Sequence, residues 1–161
     1  MSDEDLPPAT PGELDAVELL IDDWLARQRD ENPVIQAVER DTETGERRWF
    51  VRLVGEQKGV FSVWFHLRQR SLHVETYVMP APMENYAEFY EHLLRRNRRT
   101  FGMSFCIGEE EAIYLHGHVP VRWVDDACLD RLLGSSYAYV EQFFRPAMRI
   151  GFASVFRPAD E

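Results

Sequence analysis

Leu14, Val17, Ile21, Trp24 and Leu25 recur at three- and four-residue spacings, Gln28 continues the row and Leu20 widens it. That period lays one apolar stripe along a helix. Thr10, Pro11 and Glu13 form a capping box with proline in the first turn, so the spacing predicts a helix over 11–29 that Asn32-Pro33 stops. From Val34 the period becomes two. A short strand is expected at Ile35–Arg40, then strands Arg47–Val54, Val60–Leu67 and Ser71–Met79, separated by turns at Thr42–Glu46, Gly55–Gly59 and Arg68–Arg70. Helical spacing returns with Tyr86, Phe89, Tyr90, Leu93, Leu94 and Asn97, predicting a helix over 83–100 that opens at Pro82. Its glutamates precede its arginines, which suits the helix dipole. Met103–Ile107 and Glu111–Leu115 read as a hairpin around Gly108-Glu109-Glu110, with Phe105 opposite Ile113, and Pro120 ends that strand. A last helix over 126–145 starts at an aspartate cap and carries a broad stripe from Leu129 to Met148, which Pro146 should kink or end.

This order, α–β(3–4)–α–β(2)–α, predicts an α+β domain in which three helices pack on an antiparallel sheet. The domain is expected over 10–154, with residues 1–9 as a disordered acidic tail and 155–161 as a C-terminal tail. Trp24 and Phe89 sit on helix stripes and are both expected in the core. Placing Phe61, Val63, Phe65 and Leu67 on the same face as Leu72, Val74, Thr76 and Val78 best fits a register with Phe65 opposite Val74, which closes a loop of two or four residues. Gln69-Arg70 is poor two-residue turn chemistry, so the four-residue loop Arg68–Ser71 is expected. The opposite face then pairs His66 with His73, Trp64 with Glu75 and Ser62 with Tyr77. Arg48 and Arg52 join it if Trp49, Val51 and Leu53 point to the core. Arg48, Arg52, Trp64, His66, His73, Glu75 and Tyr77 are therefore the candidate partner-binding set, since Trp, Tyr and Arg are the usual anchors of protein interfaces. An ordinary wet outer face, or one covered by a helix, would use the same positions.

Charge narrows the partners. Residues 1–46 carry 14 Asp and Glu against three Arg, whereas the remainder is nearly balanced, so the net charge of −10 resides in the first third of the chain. Such a chain is a poor ligand for nucleic acid or an anionic membrane, both of which need a basic footprint. The arginines at 95, 96, 98 and 99 are the one basic cluster and suit a solvated helix end. The acidic face of the first helix is read as solvated, or as a docking surface. Cys106 and Cys128 form no CxxC pair and are expected as free thiols.

The chain has no GxGxxG, Walker A, GxSxG or HExxH motif and no zinc-type Cys/His spacing. His116-x-His118 and the His66–His73 pair each lack an evident third ligand along the sequence, so no metal site or cofactor is expected. The run Glu109–Glu111 reads as a solvated turn. No catalytic residues emerge, and the chain is read as a non-enzyme.

The stretches YVMPAPMENYAEFYEHLLRRNRRTFGMSFCIGEEEAIYLHGHVP (77–120) and LDRLLGSSYAYVEQFFRPAMRIGFAS (129–154) resemble the actinobacterial branch of the YbjN family. The element order resembles the type III secretion chaperone-like fold. The resemblance implies a cytoplasmic, non-enzymatic regulator of sensory transduction or stress, on a fold shared with dimeric chaperones that hold protein segments. A homodimer is expected, both from that fold and from a last-helix stripe broader than one sheet face requires. Two functions of different class follow: a chaperone-like module that binds an unidentified protein or peptide, or a small-ligand sensor or weak enzyme with a pocket between the sheet and the C-terminal helix. A deep pocket lined by charged side chains would favour the second.

Overall fold

The computed structural model describes residues 2–156. Helix α1 (Pro11–Glu31) leads into β1 (Ile35–Arg40), β2 (Arg47–Val54), β3 (Val60–Leu67) and β4 (Ser71–Met79). Helix α2 (Tyr86–Asn97), β5 (Ser104–Ile107), β6 (Ile113–Pro120) and α3 (Asp126–Gly151) follow. The six strands form one antiparallel sheet in the order β1-β2-β3-β4-β6-β5. This is the expected α+β architecture.

The helix starts are set by short-range chemistry. Thr10 Oγ1 accepts the Glu13 amide at 3.2 Å while Glu13 Oε1 accepts the Thr10 amide at 3.3 Å, completing the capping box. Asp125 caps α3 through the Cys128 amide at 2.7 Å. Helix α3 runs six residues further than expected and passes through Pro146. Proline removes one amide, which orphans the carbonyl of Gln142, but Gln142 is exposed and water can satisfy it. The end of α3 is instead closed from outside: Gly151 O accepts the amides of Met83 (2.9 Å) and Glu84 (3.2 Å), and Ile150 O accepts Asn85 Nδ2 at 2.9 Å. Helix α2 starts at Tyr86 rather than 83, because left-handed Asn85 (φ 53°) breaks the helical run ahead of it. Pro82 is accordingly buried ahead of the helix and not part of its first turn.

On α2 the apolar stripe is narrower than the spacing suggested. Phe89 and Leu93 are buried and Tyr90 is half-buried, but Tyr86 and Leu94 are 58% and 69% exposed. Asn97, at its end, is used on the neighbouring strand: its side-chain oxygen accepts the Phe105 amide (2.7 Å) and its amide nitrogen donates to Phe105 O (3.1 Å), so it satisfies the free edge of β5.

All three helices pack on one face of the sheet, the face bearing Trp49, Val51, Leu53, Val63, Phe65, Val74 and Leu115, each at most 1% exposed. Trp24 of α1 meets Phe65 edge-on at 6.0 Å, and Phe143 of α3 meets Phe105 at 5.7 Å. The broad stripe of α3 is consumed by α1, α2 and the sheet within the chain. The acidic face of α1 is partly consumed as well. Asp15 and Glu18 pair with Arg47, and Glu18 and Asp22 pair with Arg40, so these carboxylates fasten α1 to β1 and β2. Asp22 also accepts the buried Trp49 indole N–H at 2.7 Å.

The β3–β4 register is the expected one, Phe65 opposite Val74 and His66 opposite His73. The last hairpin is not. Phe105 pairs with Leu115 and Ile107 with Ile113, two residues from the expected register, and Glu109–Glu111 form a 3-10 turn with Glu110 and Glu111 at positive φ. A two-residue slip keeps each side chain on its own face, so the hydrophobic pattern cannot detect it.

The segment expected to be a disordered tail also differs. Asp3–Asp5 form a 3-10 turn, the Ala9 amide donates to Gln69 O at 2.8 Å, the Arg70 guanidinium donates to Leu6 O, and Ala9 is buried. The β3–β4 loop thus holds the N-terminal segment against the end of the sheet. Of the C-terminal tail expected at 155–161, residues 157–161 lie outside the described residues.

Candidate functional site

The sheet face away from the helices carries Arg48, Phe50 and Arg52 from β2, Ser62, Trp64 and His66 from β3, His73, Glu75 and Tyr77 from β4, and Tyr114, His116 and His118 from β6. Strand alternation puts them together: each is one residue out of step with a buried neighbour. All seven candidate residues share this face. Phe50, Tyr114 and the β6 histidines join them through pairings that the β3–β4 register does not reveal.

Trp64 is 47% exposed and Tyr77 42% exposed. Both are braced by aromatic neighbours. Phe50 packs edge-on against Trp64 at 4.5 Å, and Tyr114 edge-on against Tyr77 at 5.7 Å. Lys58 Nζ lies 5.3 Å from the Tyr77 ring centre and donates to Val78 O. Arg52 is exposed, whereas Arg48 is drawn down by Asp41 (2.7 Å) and Glu46 (3.2 Å). The Thr44 hydroxyl and then the Arg48 guanidinium, both bonded to Asp41, hold its carboxyl well below the usual range. His66 Nδ1 accepts from Arg68 Nε at 3.3 Å, and partial burial followed by that guanidinium lowers its pKa. Glu75 is pushed up by partial burial and then by Glu109.

The two histidine pairs noted along the sequence merge here. Antiparallel β4–β6 pairing sets His118 opposite His73 and His116 opposite Glu75, which supplies the imidazole that His116-x-His118 lacked. His73 Nδ1 is 3.1 Å from His116 Nε2, and the His73 and His118 rings stack at 5.2 Å. His73 Nε2 lies 2.8 Å from Ser71 Oγ and 3.9 Å from Asp3 Oδ2. Burial, then Arg68 and the two neighbouring imidazoles, pushes His73 down to about 4, and burial lowers His116 as well. The His73 ring is therefore neutral at pH 7. The third imidazole, like Phe50 and Tyr114, is not legible along the sequence, since it depends on which strand pairs with β6.

The cleft nearest the expected ligand pocket lies between α1, β2 and α3 and measures about 280 Å³, with Gln28, Leu53, Asp130 and Tyr137 in its wall. Its carboxylate is already used: Asp130 Oδ1 accepts the Trp24 indole N–H at 2.8 Å and Gln28 Nε2 at 3.4 Å. No described helix is long and apolar enough to cross a membrane.

The profile of the YbjN family, described as "Putative bacterial sensory transduction regulator", matches residues 21–147. This chain belongs to the YbjN family. An uncharacterized protein of Mycobacterium leprae is 36% identical over 107 residues, which span 66% of this chain and 58% of that relative's own length. Among solved structures, a chain of the ExsC–ExsE complex superposes with a TM-score of 0.54 at 16% identity, covering 78% of this chain and 91% of that one. A chain of the ExoU–SpcU heterodimer from the type III secretion system of Pseudomonas aeruginosa gives 0.53 at 14% identity, covering 78% and 98%. At such identities the likeness is one of fold, the type III secretion chaperone-like fold, and this YbjN chain shares it.

Proposed function

We propose that this chain is a non-catalytic, chaperone-like binding module of a YbjN-type regulator, acting in the cytoplasm by holding a segment of another protein on its open sheet face. The observation that carries the reading is Trp64. A large aromatic that is 47% exposed, braced edge-on by Phe50 and set in the third of six strands, offers apolar contact area with little side-chain entropy left to lose. Tyr77, Arg52, Glu75, His66, His73 and the flank of Arg48 would surround it with polar contacts. The family's description as a sensory-transduction regulator supports the regulatory part. The fold neighbours, solved in complex with other proteins, support the binding part.

The same face is where a second copy would dock if the chain forms a homodimer, because the α3 stripe that suggested dimerisation is spent inside the chain. The two occupants separate in one experiment. Tagged chain and its Trp64→Ala and Leu94→Ala variants are used to capture partners from the native host, and sedimentation of each variant is followed over a range of concentrations. Trp64→Ala should weaken the retained complex about fivefold or more, equivalent to at least ~1 kcal/mol, while its melting curve stays within about 0.5 kcal/mol of the parent. Leu94→Ala should change neither. If the parent sediments as a dimer and Trp64→Ala as a monomer, the occupant is a second copy. Full retention of every partner by Trp64→Ala, with unchanged sedimentation, would remove the sheet-face reading.

A further inference from the structure

Four of the chain's five histidines lie on the outer sheet face, and three of them converge. One potential ligand nitrogen from each of His73, His116 and His118 can be chosen so that all three lie within 4.8 Å of one another. The arrangement follows from sheet geometry. His116 and His118 are two apart on β6 and so share a face, while His73 stands directly opposite His118 on β4. Gly117 between them has no side chain, and its backbone lies so close to Gly102 O that an added Cβ would sit 2.4 Å from it. That contact fixes the strand carrying the His-x-His pair. Beside the pair opens a hollow of about 310 Å³ lined by Gly102, Met103, Ser104, His116, Gly117 and His118, large enough for hydrated ligands.

The N-terminal segment adds a carboxylate. Arg70 and Gln69 hold it against the sheet end, bringing Asp3 Oδ2 to 3.9 Å from His73 Nε2. Asp3 Oδ1 is buried and has no hydrogen-bond partner among the described residues. It is the other oxygen, Oδ2, that faces His73 Nε2, on the side of the ring away from His116.

We propose that His73, His116 and His118 form a binding site for a divalent transition metal of the Zn²⁺ type, with Asp3 as its carboxylate partner. Nitrogen ligands at about 2.0–2.1 Å around a tetrahedral ion stand about 3.3 Å apart. The His73 Nδ1 to His116 Nε2 spacing of 3.1 Å already matches this, and His118 closes the triangle by a side-chain rotation, being exposed. With Nδ1 on the metal, His73 Nε2–H points at Ser71 Oγ and Asp3, the outer-shell arrangement that fixes the tautomer of a ligating histidine. Three imidazole nitrogens select zinc, nickel or copper over magnesium or calcium.

The site shares His73 and the outer sheet face with the proposed partner surface but does not require a partner, so it is tested with the metal alone. Full-length chain stripped with chelator is titrated with Zn²⁺ by calorimetry, and with Co²⁺ by visible absorption. One ion per chain should bind, and Co²⁺ should give the intense d–d bands of a four-coordinate site. His118→Ala and His73→Ala should each weaken Zn²⁺ binding at least tenfold, and Asp3→Asn about tenfold, the range of outer-shell losses. His66→Ala and His92→Ala should leave it unchanged. His118 is exposed, so His118→Ala retains the fold, which circular dichroism verifies. Absence of saturable Zn²⁺ binding by the folded parent, or equal affinity in folded His118→Ala, overturns the proposal.

Discussion

Truncating Phe89 to alanine should lower the unfolding free energy by about 3–5 kcal/mol, the range for deleting a fully buried phenylalanine. Phe89 is wholly buried at the point where α2, α3 and the C-terminal turn meet. Its ring touches Tyr90 at 5.4 Å and Phe152 at 6.5 Å, and it lies so near Gly151 that a Cβ there would come within 2.7 Å. The backbone on both sides is pinned by the Met83 and Glu84 bonds to Gly151, so the hole has little freedom to collapse. Leu94, five residues on and 69% exposed, provides the contrast: Leu94→Ala should stay within about 0.5 kcal/mol. Urea melts of the two variants check both. Equal midpoints would mean that α2 presents a different face to the core.

The second large effect is expected at Trp24. Trp24→Ala should cost about 3–5 kcal/mol, because the indole is 1% exposed and packs against Phe65. Its N–H gives a finer test. Asp130 accepts that N–H at 2.8 Å, so Asp130→Ala leaves a buried donor unpaired and should cost about 1–3 kcal/mol. In the Trp24→Phe background, which has no indole N–H, the same Asp130 change should cost much less. This double-mutant cycle decides what the cleft carboxylate does. A cost for Asp130→Ala that persists undiminished in Trp24→Phe would show that the carboxylate is not held there for the indole, and would reopen the cleft as a ligand site.

Local pattern made much of the fold legible. Strands β1 to β4 are bounded by turn signals and alternate cleanly, so their limits and the β3–β4 register follow from the sequence, and with them the shared face of Trp64, His66, His73, Glu75 and Tyr77. What escaped depends on contacts between distant segments. Helix α2 begins late because the chain ahead of it turns through left-handed Asn85 at the end of α3. The acidic face of α1 looked solvated because Arg40 and Arg47 come from strands folded back upon it. The N-terminal segment looked free because its anchor, Arg70, is 64 residues from its acceptor, Leu6. The histidine triad stayed hidden because β6 pairs with β4 across an intervening helix and strand.

The open sheet face is the centre of the functional account, and site-specific photocrosslinking tests it most directly. p-Benzoylphenylalanine is placed at position 64 on the sheet face or at position 19 on α1, where Leu19 is 62% exposed, and the chain is irradiated in its native host. The account predicts one discrete protein adduct from position 64 and none of that mass from position 19. Adducts that form from position 19 while position 64 stays unreacted would place the partner on the helix layer and contradict it.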